Sequence, residues 1–145
     1  MKIEQQLIGK KRYGEKRLLD DIIYIVVKTI DNNATTHYHI IKGEAIQKIP
    51  DEHNSNAING VKANKYGYLH GICTKYNSLS IGVPYRMSLD DKQACYNLIM
   101  TLKQRYKIKN ENIVRQFDVT GDINPEEWHD AGHWDKDIKN KLIET

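Results

Sequence analysis

Residues 112–128 read NIVRQFDVTGDINPEEW, a predicted strand that runs into a polar loop closed by an Asp-x-x-Pro motif. This is the layout of a metal-binding turn. However, no His or Cys lies between Cys95 and His129. The loop therefore has the framework of a metal site but lacks the His and Cys residues that usually bind the metal.

Length and composition indicate one globular domain. The chain has 145 residues, of which 39% are hydrophobic and 28% charged, and both fractions are typical of globular proteins. The start of the chain has no continuous apolar stretch of the kind that a signal peptide needs, and the run IIYIVV is too short to span a bilayer. We therefore predict a cytoplasmic protein with no membrane partner.

The charge pattern argues against a dedicated nucleic-acid binder. Residues 1–20 hold six Lys or Arg against three Asp or Glu, and the remaining residues balance at sixteen of each, within a net charge of +3. A nucleic-acid binder would spread a basic stripe over one face. A small anionic ligand remains compatible with this balance. The two cysteines, Cys73 and Cys95, are expected to be small buried residues rather than a disulfide.

Hydrophobic periodicity predicts strands interleaved with helices. The helix has the clearest pattern, because Ser88 and Asp91 form a capping motif ahead of apolar residues at helical spacing. Pro84 and Gly82 are expected to interrupt the strand before it. An α/β fold with a mixed central sheet flanked by helices follows. The predicted strands are 21–27, 37–41, 45–49, 79–87 and 113–119, and the predicted helices are 88–106 and 134–143. The strands 37–41 and 45–49 flank Lys42-Gly43-Glu44, and we expect them to form a hairpin.

The order of several segments resembles a known family, the zinc-dependent N-acetylmuramoyl-L-alanine amidases of phage endolysins and the related peptidoglycan recognition proteins. The resemblance covers residues 3–143, and its order and spacing are more specific than any single piece. It implies the same mixed sheet flanked by helices. The matching segments are EQQLIGKKRYGEKR, IIYIVV, the His-Tyr pair at 37–38, GEAIQKIPDE, GICTKYNSLSIGV, KQRYKIKNENIVR and DVTGDINP.

The resemblance also implies which residues stand at the zinc-ligand positions of that family. The first His falls on or next to Lys28, the second His on Gln116, and the Cys or Asp before the Pro on Asn124. A catalytic Glu of many of these enzymes falls on Pro84, and a Lys of the late loop on Asp122. The comparison therefore predicts a degenerate member of the family, with no metal, no other cofactor and no catalytic activity.

A second departure concerns architecture. The amidases place a long helix between the first ligand strand and the His-Tyr strand, whereas only eight residues, TIDNNATT, separate Lys28 from His37 here. Without that helix, one face of the sheet would expose apolar surface, and such patches normally mark interfaces. We therefore predict a homo-oligomer, most simply a two-fold dimer.

These observations lead to a prediction of function. The chain would be a non-catalytic protein on an amidase scaffold whose cleft binds a small anionic molecule, in one form a phage protein that sequesters a phosphorylated nucleotide signal of host immunity. One alternative is a binder of muropeptide fragments. The other is a residual hydrolase, either with a metal relocated to His129 and His133 or without a metal and with His37 or His129 as its base. Ordinary solvated charges at strand ends would also explain the basic residues. The predicted ligand-binding residues are Lys28, His37, Tyr38, Arg86, Arg115, Gln116 and Asn124.

Overall fold

A six-stranded mixed sheet forms the centre of the molecule. The structure, a computed structural model, describes residues 1–31, 34–57 and 67–144. The strands run in the order β1-β4-β3-β5-β2-β6, and only the β3–β4 pair is antiparallel. The predicted fold class is confirmed. The strands are β1 (Ile3–Gln5), β2 (Tyr24–Thr29), β3 (Tyr38–Ile41), β4 (Glu44–Gln47), β5 (Ser78–Val83) and β6 (Ile113–Arg115).

The long helix α1 (Leu89–Tyr106) packs on one face of this sheet. Its start matches the prediction, because the Ser88 hydroxyl accepts a hydrogen bond from the Asp91 amide and the Asp91 carboxylate accepts one from the Ser88 amide. Leu98, Ile99 and Leu102 are fully buried in the core between the helix and the sheet. The capping pair and the apolar stripe together fix where α1 begins and which side faces the sheet.

Short helices complete the fold. Helix α2 (Gln116–Thr120) follows β6 directly, and α3 (Ala131–Trp134), a π-helical stretch (Asp135–Lys139) and α4 (Asn140–Glu144) form one helical run. The strand predicted for 113–119 is therefore wrong beyond Arg115. Helix α2 begins where the Asp118 carboxylate accepts hydrogen bonds from the Arg115 backbone amide and side chain. This local ion pair favours a helical turn over continued strand pairing.

The predicted hairpin is confirmed. Strands β3 and β4 pair in antiparallel register across Lys42 and Gly43, which both have positive φ angles, of 49° and 76°. Two left-handed residues form the tight turn whose twist matches that of paired strands. The strand predicted for 79–87 ends at Val83, immediately before Pro84, because proline has no amide hydrogen to donate to a neighbouring strand.

The second face of the sheet is covered within the chain. Its apolar side chains Tyr24, Val26 and Val114 are buried in a small core with Cys73 and Val119. No helix lies in the described part of the segment between β2 and β3, in agreement with the predicted loss of the long helix. The described sheet residues do not, however, form the bare apolar face from which we predicted a dimer. The oligomer itself stays a prediction.

Gly82 explains how the short β2–β3 connection fits. A Cβ atom at this position would lie 2.8 Å from Thr36 Oγ1 and 2.9 Å from Ile30 Cγ1. The glycine thus allows the connection to approach the backbone of β5 closely. The sequence predicted that Gly82 would interrupt a strand, whereas the fold requires a glycine there for close packing.

Candidate functional site

The parallel strands β2, β5 and β6 end at one edge of the sheet, and three of the predicted site residues meet there. Lys28 pairs in register with Gly82 of β5, and Val27 pairs with Arg115, so that Gln116 follows at the level of Lys28. Ligands of α/β proteins bind at the carboxyl ends of parallel strands. This edge of the sheet is therefore the candidate functional site.

Asn124 ties the late loop to this edge. Its Oδ1 accepts a hydrogen bond of 2.6 Å from the backbone amide of Thr29, and its carbonyl oxygen accepts one of 2.9 Å from the Phe117 amide. The Asn124 side chain is thus committed to the framework of the loop. The polar loop therefore has a structural role that needs no metal ligands, since Asn124 joins the end of β2 to α2.

Lys28 is a buried cation. The residue is only 3% exposed, its Nζ donates to the Ala57 carbonyl at 3.2 Å, and Nζ lies 3.7 Å from an oxygen of Asp31. Burial lowers the pKa of Lys28 below its usual 10.5, while Asp31 and, more weakly, Asp122 oppose that shift. The alternative that Lys28 is a solvated charge at a strand end is wrong.

Gln116 and Asp122 flank Lys28 on the loop side. The Oε1 of Gln116 is buried and accepts no hydrogen bond from the residues that the structure describes. Asp122 is exposed, and its carboxylate accepts a hydrogen bond of 3.1 Å from the Thr120 hydroxyl. We call Lys28, Asp31, Gln116, Asp122 and Asn124 the Lys28 site. It offers a cation, two carboxylates and an amide oxygen that has no hydrogen-bond partner among the described residues.

His37 lies on the same sheet face but is held by internal contacts. Its Nδ1 accepts from the Ser80 amide at 3.1 Å, so Nε2 carries the proton and faces the His53 carbonyl at 2.7 Å. Complete burial, followed by the nearby Arg17 guanidinium, lowers the pKa of His37 to about 4. The structure therefore gives His37 a framework role, and its ring nitrogens both have partners within the chain.

Tyr38 and Arg115 point to the opposite face of the sheet from Lys28. The Tyr38 hydroxyl donates to the Asp51 carboxylate at 2.6 Å. The Arg115 guanidinium pairs with Asp118 at 2.9 Å and donates to the carbonyl oxygens of Trp128 and His129. The structure does not bring these two residues to the Lys28 site, and the idea that Arg115 is a solvated strand-end charge is also wrong.

Arg86 is exposed in the turn after β5. It lines a small surface cavity of about 300 Å³ with Tyr85, Glu126 and Glu127. No contact of Arg86 with Lys28 or Gln116 is present. Of the seven predicted residues, the site at the strand ends therefore includes Lys28, Gln116 and Asn124.

Sequence reasoning assigned no role to the carboxylates of the Lys28 site. Asp31 follows Lys28 by three residues, and a charge of opposite sign at that distance was the available signal. Asp122 was considered only as the position of a family lysine. His39, which pairs in register with Gly82, is a further neighbour on this face, and burial lowers its pKa to about 4.

The residues at this edge do not fit a zinc ion. Zinc sites in proteins use His, Cys and carboxylate ligands, whereas the positions that correspond to the ligands hold an ammonium group and two amides. Within the described ranges, no group of three His, Cys, Asp or Glu could hold a metal ion. The same described ranges give no support to a displaced metal site at His129 and His133.

Solved structures share this fold over nearly the whole chain. A mutant of PlyL superposes with a TM-score of 0.79 at 18% identity and covers 100% of both chains. The PlyG catalytic domain has a TM-score of 0.74 at 19% identity, with 94% of this chain and 91% of that chain covered. The N-acetylmuramoyl-L-alanine amidase LysC from Clostridium intestinale URNW has a TM-score of 0.62 at 17% identity, with 86% and 89% covered. By sequence, the chain matches no protein-family model and no curated protein.

These similarities define the class of fold, that of endolysin amidase catalytic domains. They also correct one prediction. We expected a protein that is not an enzyme, but the structures that share the fold include the PlyG and XlyA catalytic domains and an N-acetylmuramoyl-L-alanine amidase, so this expectation is withdrawn. Among the described residues, no helix is both long and apolar enough to cross a membrane.

Proposed function

We propose that the protein acts on peptidoglycan-type substrates and hydrolyses an amide bond at the Lys28 site. The proposal rests on the buried Lys28 ammonium beside the Asp31 carboxylate, at the strand ends where α/β proteins bind ligands. The amidase named among the structural neighbours supports the choice of an amide in a peptidoglycan fragment. A cation next to a carboxylate supplies the two functions that amide hydrolysis needs.

In this proposal, Lys28 stabilises negative charge and Asp31 moves a proton. The Lys28 ammonium donates a hydrogen bond to the amide oxygen, which becomes negatively charged when water adds to the carbonyl carbon. The Asp31 side chain is 41% exposed, and its carboxylate takes the proton of the attacking water. The proton then passes to the leaving nitrogen as the C–N bond breaks, which yields an amine and a carboxylic acid. Gln116 Oε1 accepts a hydrogen bond from a substrate N–H.

Turnover of muropeptides tests this function directly. Disaccharide-peptides are incubated with the wild-type protein, and separated sugar and peptide are measured by mass spectrometry. We expect release in the wild type, a loss of at least about 100-fold in Lys28→Met, and no change in the control Lys136→Met, which alters an exposed lysine elsewhere. The absence of release by the wild type at any substrate concentration contradicts the proposal.

The pH profile provides a second readout. Because burial lowers the pKa of Lys28, the ammonium should lose its proton below pH 10.5. We expect the rate of hydrolysis to fall on the alkaline side at a lower pH than for an ordinary lysine. A rate that stays constant up to pH 10.5 excludes Lys28 as the stabilising cation.

The second candidate function is binding of a small anionic molecule of the nucleotide type. It is favoured by the same buried ammonium, since a cation in a site of low dielectric constant attracts phosphate strongly. A thermal-shift panel of cyclic and linear nucleotides alongside muropeptides separates the two ligands. Stabilisation by nucleotides alone, lost in Lys28→Met, favours this second candidate over amide hydrolysis.

A further inference from the structure

A group of exposed apolar side chains lies at the opposite end of the sheet from the Lys28 site. It comprises Leu18, Leu19, Ile23, Ile72 and Tyr76, which are 71%, 45%, 45%, 57% and 47% exposed. We call this group the Leu18 patch. Single exposed apolar residues are normal on a protein surface, but several on neighbouring segments are typical of an interface.

The five side chains belong to two segments that are hydrogen-bonded to each other. The amide of Ile23 donates to the Asn77 carbonyl at 3.0 Å, and the Asn77 side chain donates to the Ile72 carbonyl at 2.9 Å. Arg17 joins the same segments, because its guanidinium donates to the carbonyl oxygens of Lys75 and Ser78. Residues 17–23 and 72–78 therefore form one surface with a fixed shape.

The two segments carry opposite charges. Asp20 and Asp21 are exposed on the first segment. On the second, the Lys75 ammonium lies 5.3 Å from the Tyr76 ring centre and donates to Asn56 at 3.3 Å. A two-fold axis through such a surface places the first segment of one copy against the second segment of the other. Asp20 and Asp21 of each copy would then face Lys75 of the other, so that the charge pairing occurs once on each side of the two-fold axis.

We propose that the Leu18 patch is the interface of a two-fold homodimer, in which residues 17–23 of each copy pack on residues 72–78 of the other. The self-complementary charge pattern selects a second copy of the chain as the occupant. The patch also differs from the sheet face first considered for a dimer, which is buried within the chain. The proposal is independent of amide hydrolysis, because Ile23 precedes β2 whereas Lys28 lies near the other end of that strand.

Sedimentation of the wild-type chain and of two leucine variants tests the interface. We expect a dimer that dissociates on dilution. Leu18→Glu should raise the dissociation constant at least about 10-fold, because it replaces the most exposed apolar side chain of the patch, 71% exposed, with a charge. Leu89→Glu is the matched control, since Leu89 is 83% exposed at the start of α1, outside the patch, and we expect its dimer to be unchanged.

Charge reversal tests the pairing of the two segments. Asp20→Lys with Asp21→Lys should weaken the dimer, as should Lys75→Glu alone, whereas the combination of all three restores opposite charges and should recover the dimer. Circular dichroism confirms that each variant is folded.

Three outcomes overturn the proposal. They are a wild-type chain that stays monomeric up to about 100 µM, a Leu18→Glu variant that dimerises as well as the wild type, and a triple charge variant that does not recover.

Discussion

Lys28 has the least favourable environment for a charge among the residues of the candidate site. It is 3% exposed, and its ammonium has one carboxylate neighbour at 3.7 Å and one carbonyl acceptor. A buried ion pair frequently contributes less to stability than an apolar side chain of similar volume. A residue that is retained at a cost to stability is more easily explained by binding or catalysis than by folding.

This cost makes a prediction for Lys28→Met. We expect the variant to gain about 1 kcal/mol in its free energy of unfolding at pH 7 while it loses ligand binding and turnover. Since the pKa of Lys28 is lowered in the fold, the unfolded chain binds more protons than the native one as the pH approaches 10.5, and wild-type stability should rise there. Urea denaturation from pH 7 to 10.5 measures both the stability of the variant and the rise in wild-type stability. A variant that is clearly less stable than the wild type at pH 7 contradicts the first expectation, and a wild-type stability that does not rise contradicts the second.

His37 should make the fold sensitive to acid. Its pKa is about 4 in the fold against an ordinary 6.5, so the unfolded chain takes up a proton first as the pH falls. The stabilising contribution is complete above pH 6.5 and is lost between pH 6.5 and 4, and it amounts to about 3 kcal/mol. In His37→Gln, the loss of stability from pH 7.5 to 4 should be smaller by a similar amount in urea denaturation. An unchanged pH dependence is the contrary result.

At the scale of elements, the β5 strand and the β2–β3 connection are fitted to each other at Gly82. Ile30 and Thr36 occupy the space that a side chain would need. The close approach allows a connection of eight residues to cross the sheet where the amidases that the sequence resembles place a long helix. The absence of a side chain at Gly82 therefore allows the β2–β3 connection to pack on this face of the sheet.

Gly82→Ala should consequently destabilise the protein. The new methyl group would lie within 3 Å of Thr36 Oγ1 and Ile30 Cγ1, and the resulting shifts should cost about 2 kcal/mol. Gly9→Ala is the matched control, because nothing lies within 4 Å of its added methyl and its φ is −60°. Thermal and urea denaturation of both variants measure the difference. Equal stabilities would show that the connection moves away freely.

Local signals in the sequence predicted the elements that local chemistry determines. The turn at Lys42 and Gly43 and the capping pair Ser88 and Asp91 carry their own hydrogen-bonding geometry, and both were found. The change from strand to helix at Gln116 was missed, because apolar residues up to Val119 fit either element. The ion pair of Arg115 with Asp118 decides between them, and the sequence pattern did not reveal that pair.

Similar reasons explain why only three of the seven predicted residues lie together at the strand ends. The resemblance to a known family placed Lys28, Gln116 and Asn124 together, because the corresponding positions of that family meet at one metal site. Arg115 and Tyr38 lie on the opposite face, because successive residues of a strand alternate between the two faces and each of them is adjacent to a residue on the Lys28 face, Gln116 and His37. Asp31 lies in a connection that has no counterpart in the aligned family, so the alignment gave it no position, and its spacing of three residues from Lys28 was the only sequence signal.

At the scale of the molecule, Arg17 joins three distant parts of the chain. Its guanidinium donates to the carbonyl oxygens of Asp51, Lys75 and Ser78, at 3.0, 3.0 and 2.6 Å. The N-terminal segment is thereby fixed to the loop after β4 and to the start of β5. Burial lowers the pKa of Arg17, and Asp51 opposes this shift, so the residue stays a cation among carbonyl acceptors.

Arg17→Met should therefore cost about 3 kcal/mol of unfolding free energy, because three carbonyl groups lose their donor at once. Arg17→Lys should recover only part of this loss, since a lysine cannot reach three acceptors in the planar arrangement of a guanidinium. Arg12→Met is the control, as Arg12 is exposed and its contact to Thr35 is 3.5 Å long. Urea denaturation measures the three variants, and full recovery by lysine would contradict the role of the planar group.

The two outermost strands, β1 and β6, have three residues each. An outer strand of that length presents few free amide and carbonyl groups, and a foreign chain can therefore gain little by adding itself alongside. The sheet is consequently protected at both rims against open-ended growth into fibrils. Concentrated preparations should remain free of amyloid-type aggregates as long as the native fold persists.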